Sequence, residues 1–279
     1  MTFFQLGHHP SEPTLFLAHA SCAAYKDNPA TYTDFNFQFD ELIPFASKDV
    51  GVTRGFLAEK KDAIILAFRG TDDPWDWLIN LNALQDNENG VRIHRGFKQA
   101  LKSVWNQISE PLLKMYRQNK RKILITGHSL GGALAMLATR RLILNKNVGQ
   151  IETYTFGQPR VGCARMGRQI ISPFYRFAYS LDPVTYAPFK IFRRINLHYA
   201  HAGTLKHIDA AGNLHKGPPS FVSNIMTAYH AVKKIKGELA ANDDLRAVVR
   251  ARLQDHNMSH YIEKIAHAMK KCKPNVTIS

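Results

Sequence analysis

Six consecutive residues, Gly127-His128-Ser129-Leu130-Gly131-Gly132, have the composition needed to present a nucleophile. A serine hydroxyl attacks a carbonyl carbon only when a sharp, strained bend exposes it beside a base. Glycines two positions to either side let a strand and a helix close around such a bend. The run Ile123-Leu124-Ile125-Thr126 leads in as a strand, and Ala133-Leu134-Ala135-Met136-Leu137-Ala138 leads out as a helix. The amide of Leu130 opens that helix, so it directs partial positive charge at the place where a carbonyl oxygen becomes an oxyanion. The competing reading, a serine that merely caps a helix, fits this context less well.

A nucleophile of this kind needs an acid and an imidazole later in the chain, in that order. The downstream aspartates are Asp182, Asp209, Asp243, Asp244 and Asp255. Phe174 to Tyr179 reads as a strand, so Ser180-Leu181-Asp182-Pro183 carries Asp182 on the loop at its carboxyl end, level with Ser129, and Pro183 stops the strand. An ordinary Asp-Pro turn is the alternative. Asp182 would accept the Nδ1 proton of the imidazole and fix the tautomer that leaves Nε2 free for the serine. Of eight later histidines, six fall in expected strands, hairpin flanks or helix interiors. His256 lies between two helical stretches, where loops carry catalytic groups. His260 stays as the alternative, although Ser259 would cap a helix and leave it in the first turn. Asp255 is too close in sequence to turn onto His256 and is read as a surface or supporting group. A second oxyanion donor belongs at the end of a neighbouring strand; Phe68-Arg69-Gly70-Thr71-Asp72 ends the run Ile64 to Phe68, and Thr71 offers its backbone N–H and its hydroxyl.

The elements that must hold these groups are strands at Val52 to Leu57, Ala63 to Phe68, Ile123 to Thr126, Ile151 to Phe156 and Phe174 to Tyr179. Helices are expected over Phe97 to Tyr116, with apolar residues at three-four spacing, and over Leu130 to Leu144, apolar almost all round. Strand and helix alternation gives an α/β fold with a mostly parallel central sheet flanked by helices, whose active site sits at the carboxyl ends of the strands. Phe192 to Ala200 and Leu205 to Asp209 read as strands, and the turn Ala211-Gly212-Asn213 makes an antiparallel edge hairpin. Leu15 to Tyr25 reads as an amphipathic helix, and Phe221 to Lys236, Asp243 to Leu253 and Met258 to Lys271 as helices. No long linker and no repeat interrupts the chain, so residues 1–279 parse as one domain.

The 279 residues carry 37 Lys and Arg against 22 Asp and Glu, a formal charge of +15. Residues 1–90 hold 6 basic and 13 acidic side chains, and the remainder 31 and 9. The basic clusters lack interleaved aromatics that would stack bases, which argues against nucleic acid. A solvated face is preferred, with peripheral contact to an anionic lipid interface as the sharper alternative. No apolar run approaches the roughly 20 residues of a membrane-spanning helix. Three scattered cysteines imply no bridge, and the apolar stretch Leu15 to Tyr25 has no basic leader before it, so a cytoplasmic location is the default.

The motifs together resemble the class 3 lipases, the family of the filamentous-fungal triacylglycerol lipases. The matching residues are Phe68 to Thr71, Asp76-Trp77-Leu78-Ile79-Asn80-Leu81, His94-Arg95-Gly96-Phe97, Gly127 to Ala135, Thr155 to Gly162 and Asp182-Pro183-Val184. The resemblance implies an α/β-hydrolase fold that cleaves acyl esters, with Thr71 in the oxyanion position and the segment after it, about 72–90, as a lid. Trp75, Trp77 and Leu78 would then contact lipid, since an indole suits an apolar-polar boundary; packing of an amphipathic helix is the equal alternative. The expected activity is a triacylglycerol lipase or carboxylesterase working through Ser129, Asp182 and His256 with an acyl-enzyme, or alternatively a phospholipase A1-type acyl hydrolase at anionic surfaces. No metal or cofactor is called for. Arg69 and Arg160 are read as pairing with acids or carbonyls, and His94 and His128 as hydrogen-bonding groups without catalytic tasks.

Overall fold

The computed structural model describes residues 12–48, 53–74, 76–77, 84–145, 148–188, 199–217 and 252–271. In chain order these form α1 (Glu12–Ala23), β1 (Glu41–Ala46), β2 (Arg54–Lys60), β3 (Ala63–Phe68), β4 (Gln85–Glu88), β5 (Val91–His94), α2 (Arg95–Asn119), β6 (Lys122–His128), α3 (Leu130–Asn145), β7 (Ile151–Phe156), the short α4 (Ala164–Gly167), β8 (Phe174–Tyr179), β9 (Thr204–Ile208), β10 (Leu214–Lys216) and α5 (Met258–Lys271).

Eight strands make one sheet in the order β1-β2-β3-β6-β7-β8-β9-β10. The pairs from β3 through β6, β7 and β8 to β9 are parallel. Strands covered on both faces tend to read as unbroken apolar runs, as β3 does, and β3 is buried at every residue; β7 is buried throughout as well, although it carries Glu152, Thr153 and Thr155. The edge hairpin β9–β10 forms around the expected turn. The opposite edge is antiparallel too, with β1 on β2 and β2 on β3. Its cause is connection length: only Lys61 and Asp62 link β2 to β3, and two residues can close a hairpin but never a parallel crossover.

Helices α2 and α3 cover one face of the sheet, burying Phe97, Leu101, Val104, Ile108 and Leu112 of α2 with Leu134 and Leu137 of α3. Helices α1 and α5 cover the other, with Leu17, Ala18, Ala20, Met258, Tyr261 and Ile265. The helix expected to be amphipathic is not: residues 14–24 include no exposed position. It packs against both the sheet and α5, and its polar members are satisfied internally, Ser21 Oγ at 2.7 Å from Thr126 Oγ1 and His19 Nδ1 at 2.8 Å from the Tyr32 hydroxyl.

The helix expected over Phe221 to Lys236 and most of that over Asp243 to Leu253 lie outside the described residues, as does the expected strand Phe192 to Ala200 up to His198. Ala200 itself forms only an isolated antiparallel bridge with Gly162. Among the described residues no helix is long and apolar enough to cross a membrane.

Candidate active site

The register aligns Phe68 with Gly127 and Gly127 with Thr155, so β3, β6 and β7 end along one edge. At that edge Ser129 takes a left-handed conformation, φ 57°, which an L residue adopts at a cost of about 1 kcal/mol or more. The bend is held by its own backbone: the Ser129 N–H donates to the Phe156 carbonyl at 2.9 Å, and the Ser129 carbonyl accepts from Gly132 N–H at 3.0 Å. A Cβ on Gly127 would run into the Gly131 backbone, and one on Gly131 into Phe68 and Arg69. The two glycines thus bring β6 onto α3 and the end of β3 against the elbow.

The structure brings Asp182 and His256 to the same place. His256 Nδ1 donates to Asp182 Oδ2 at 2.8 Å, with both side chains out of contact with solvent. Asp182 follows β8, and its Oδ1 accepts the Val184 N–H at 2.9 Å, so the Asp-Pro turn and the acid are the same feature. His256 ends a 3-10 turn, Leu253–His256, just before α5. His260 instead lies in the first turn of α5 with its ring beside Tyr179 and makes no bond to Asp182, so geometry favours His256. The Oγ of Ser129 and the Nε2 of His256 are both buried, and neither has a hydrogen-bond partner among the described residues. Catalytic contacts of this type are often long in a free enzyme and tighten with substrate.

Four neighbours complete the site, three of them not assigned by sequence reasoning. Gly157, after β7, has φ 59°, and a Cβ there would lie 2.8 Å from the His256 ring and 2.9 Å from Asp182 Oδ2. Only glycine leaves room for that pair. Tyr261 of α5 donates to Asp182 Oδ2 at 2.6 Å. The Asp255 carboxylate, read as a surface or supporting group, accepts the Leu181 N–H at 3.1 Å and ties the histidine turn to the acid loop. Tyr25 of the segment after α1 meets His128 Nδ1 at 2.8 Å.

The His128 ring lies beneath His256, with centroids 4.4 Å apart, and its Nε2 donates to the His256 carbonyl at 2.7 Å. Because a carbonyl can only accept, the proton sits on Nε2, and Nδ1 accepts from the Tyr25 hydroxyl. Burial, and then the adjacent His256, push the His128 imidazole well below its ordinary range. Burial likewise drives the Tyr25 phenol well above the usual tyrosine value, so it remains a donor. His128 and His94 act as hydrogen-bonding groups, as expected; His94 Nδ1 accepts the Phe97 N–H at 3.2 Å and caps α2.

Thr71 is half-buried on the loop after β3, and its hydroxyl accepts the Asp73 N–H at 3.3 Å. Arg69 pairs with Asp72, and Arg160 donates to the Tyr186 and Pro188 carbonyls, in line with their assigned structural roles. Of the expected lid contacts, Trp75 and Leu78 lie outside the described residues. Trp77 is half-buried and stacks on Phe97 at 6.0 Å. Within the segment 72–90, residues 85–88 form β4, paired with β5 and tied to α2 and α3 by ion pairs from Asp86 and Glu88 to Arg95, Lys98 and Arg140. Among the described residues no group of three His, Cys, Asp or Glu is arranged to hold a metal ion.

Comparison with known proteins gives three results. Residues 65–192 match the family model described as lipase (class 3). Among curated proteins the chain is 29% identical over 162 residues to a lipase of Rhizomucor miehei, covering 54% of this chain and 42% of that one. It is 28% identical over 177 residues to the secreted mono- and diacylglycerol lipase A of Penicillium cyclopium, covering 61% and 56%. The chain thus spans about half the length of these relatives. The solved structure of Rhizomucor miehei triacylglyceride lipase superposes with a TM-score of 0.64 at 22% identity, covering 87% of this chain and 89% of that one, and establishes the α/β-hydrolase fold. The expectation of a cytoplasmic location is corrected by these relatives: the Penicillium lipase is a secreted protein, which points to export.

Proposed function

We propose that this chain, whose residues 65–192 match the class 3 lipase model, is a serine hydrolase of that family that cleaves carboxylic esters of acylglycerols through an acyl-enzyme, within one hydrolase domain. The observation that carries the reading is the buried Asp182–His256 pair at the strand edge that also bears the strained Ser129.

His256 Nε2 takes the proton of Ser129 Oγ as that oxygen attacks the ester carbonyl. Asp182 keeps the proton of the imidazole on Nδ1 and stabilises the imidazolium that forms. The backbone amides of Thr71 and Leu130 receive the oxyanion, each contributing roughly 3 kcal/mol to lowering the barrier. Imidazolium then protonates the leaving alcohol, and a water activated by the same imidazole releases the fatty acid. Substrate must reach a serine with no exposed surface. The segment beginning at Asp72, with Trp75, Trp77 and Leu78, is therefore proposed as the cover that moves.

The names of the Penicillium relative and of the superposed Rhizomucor structure refer to acylglycerols, which favours neutral lipid over the phospholipase A1 alternative. Contact with an anionic lipid surface rests on charge alone: binding to phosphatidylglycerol vesicles that fades as salt is raised supports it, and salt-independent binding removes it. The test of function is release of fatty acid from tributyrin and trioctanoin by the native protein and by Ser129→Ala. The proposal expects hydrolysis by the first, loss of at least a thousandfold in the second, and a rise in rate once substrate exceeds its solubility. Equal rates in both proteins would refute the serine, and a flat response across the solubility limit would refute the moving cover.

A further inference from the structure

Asp182 accepts hydrogen bonds from three groups, and one of them has no place in the mechanism above. Val184 N–H holds Oδ1, while Oδ2 is shared by His256 Nδ1 at 2.8 Å and the Tyr261 hydroxyl at 2.6 Å. We propose that Tyr261 is a positioning residue that lowers the basicity of His256 by dividing Oδ2 of Asp182 between the phenol and the imidazole. This rests on the Ser129–His256–Asp182 reading.

The direction of the phenol's hydrogen bond is fixed by its other partner. Tyr179 N–H donates to the Tyr261 hydroxyl oxygen at 3.0 Å, so the phenol's own proton points to Oδ2. One hydroxyl therefore joins the last residue of β8 to the acid three residues later, and the loop between them cannot change shape without breaking it. Helix α5 sets the phenol there: Tyr261 lies in its first turn, fully buried, with its ring against Phe156, Tyr179 and His128. Burial, followed by the charge of Asp182, raises the phenol well above the ordinary tyrosine value, so it stays protonated wherever the enzyme works.

A bond from a hydroxyl to a carboxylate is among the strong ones. Two donors on one oxygen compete for its charge, so Asp182 offers less to the imidazole than it would with Oδ2 undivided, and the imidazolium is less favoured. A less basic His256 is easier to keep neutral as a base and readier to return its proton to the leaving alcohol. The other titratable or charged groups facing the pair are His128 from β6, Asp255 from the turn before His256, and Tyr186 from the turn after Asp182. Beyond Tyr186 lie Arg160 and Arg176, and His260 flanks Tyr179. Among the described residues none of these donates to Oδ2.

The experiment is the pH profile of kcat/KM, whose acid limb reports His256 in the free enzyme. Tyr261→Phe keeps the ring and removes the donor. It is expected to move the acid limb upward by about half a pH unit to one unit, and to lower the plateau about tenfold through kcat, with KM little changed. In a second protein, 3-fluorotyrosine replaces Tyr261 by site-specific incorporation. This stronger donor of nearly the same size is expected to move the limb downward, and it carries the test alone if the Phe variant does not fold. An acid limb that stays in place in the folded variants, or that moves in the opposite sense, overturns the inference. Each protein is first labelled with a fluorophosphonate: label away from Ser129 sinks the triad reading, whereas label at Ser129 with an unmoved limb sinks only the role of Tyr261.

Discussion

The imidazole of His256 donates to the carboxylate of Asp182 across 74 positions of sequence, at 2.8 Å and in a site where neither side chain touches solvent. Asp182→Asn tests what that contact does. An amide nitrogen can face Nδ1 only if Nδ1 gives up its proton, which moves the proton to Nε2 and blocks the base. The expected loss is about a thousandfold to ten-thousandfold in kcat with KM little changed. Steady-state kinetics on a soluble short-chain ester read it directly, and a loss under tenfold would show that the acid lies elsewhere.

Gly157 is where backbone freedom and side-chain space are required together. Gly157→Ala places a methyl group 2.8 Å from the His256 ring at a positive φ. The pair must shift by a few tenths of an ångström or more, and displacement on the scale of 1 Å costs about a hundredfold in rate. The variant is expected to lose activity of that order and about 1–2 kcal/mol of stability. A variant of native activity would mean that the pair tolerates movement and that its geometry is not limiting.

Ser129 combines strain with a buried hydroxyl that has no partner among the described residues. Ser129→Gly removes both, so it should raise stability by about 1 kcal/mol while abolishing turnover. Urea unfolding midpoints compare the two proteins. A destabilised glycine variant would show that the serine side chain contributes to the fold rather than straining it.

The pH dependence of stability has a definite sign at His128. Its folded value is held below the ordinary 6.5 by burial, so the unfolded chain binds the proton more readily. Stability contributed by the neutral imidazole is fully present above about pH 6.5 and is lost as pH falls from there toward the folded value, at up to roughly 1.4 kcal/mol per pH unit. His207, also lowered chiefly by burial, acts in the same direction. His128→Gln should flatten the decline between pH 6.5 and 5 in urea midpoints, and an unchanged slope would assign the acid lability to other groups.

The elbow was legible because every part of it is local: strand, bend and helix lie within one stretch from Ile123 to Ala138, and glycine spacing states the geometry. Asp182 was legible from a strand end and a proline. His256 was reached by weighing eight candidates, and its contact with Asp182 needed coordinates. Long-range contacts were not legible. Tyr25 reaches His128 across 103 positions and Tyr261 reaches Asp182 across 79, and an isolated tyrosine carries no mark of its partner. Asp255 was read as a surface or supporting group because it is too close to turn onto His256, and its carboxylate does turn away, to the Leu181 amide; that particular partner carried no sequence signal. The amphipathic reading of α1 failed because α5, the other side of its burial, lies over 230 residues downstream.

The central claim is that Ser129 is the nucleophile, made reactive by His256. Fluorophosphonate labelling of the native protein, followed by peptide mapping, tests it most directly. The account predicts one modified serine, in the peptide containing Gly127 to Gly131, with labelling lost in Ser129→Ala and slowed at least a hundredfold in His256→Ala. Label on any other residue, or undiminished labelling of Ser129→Ala, would contradict it.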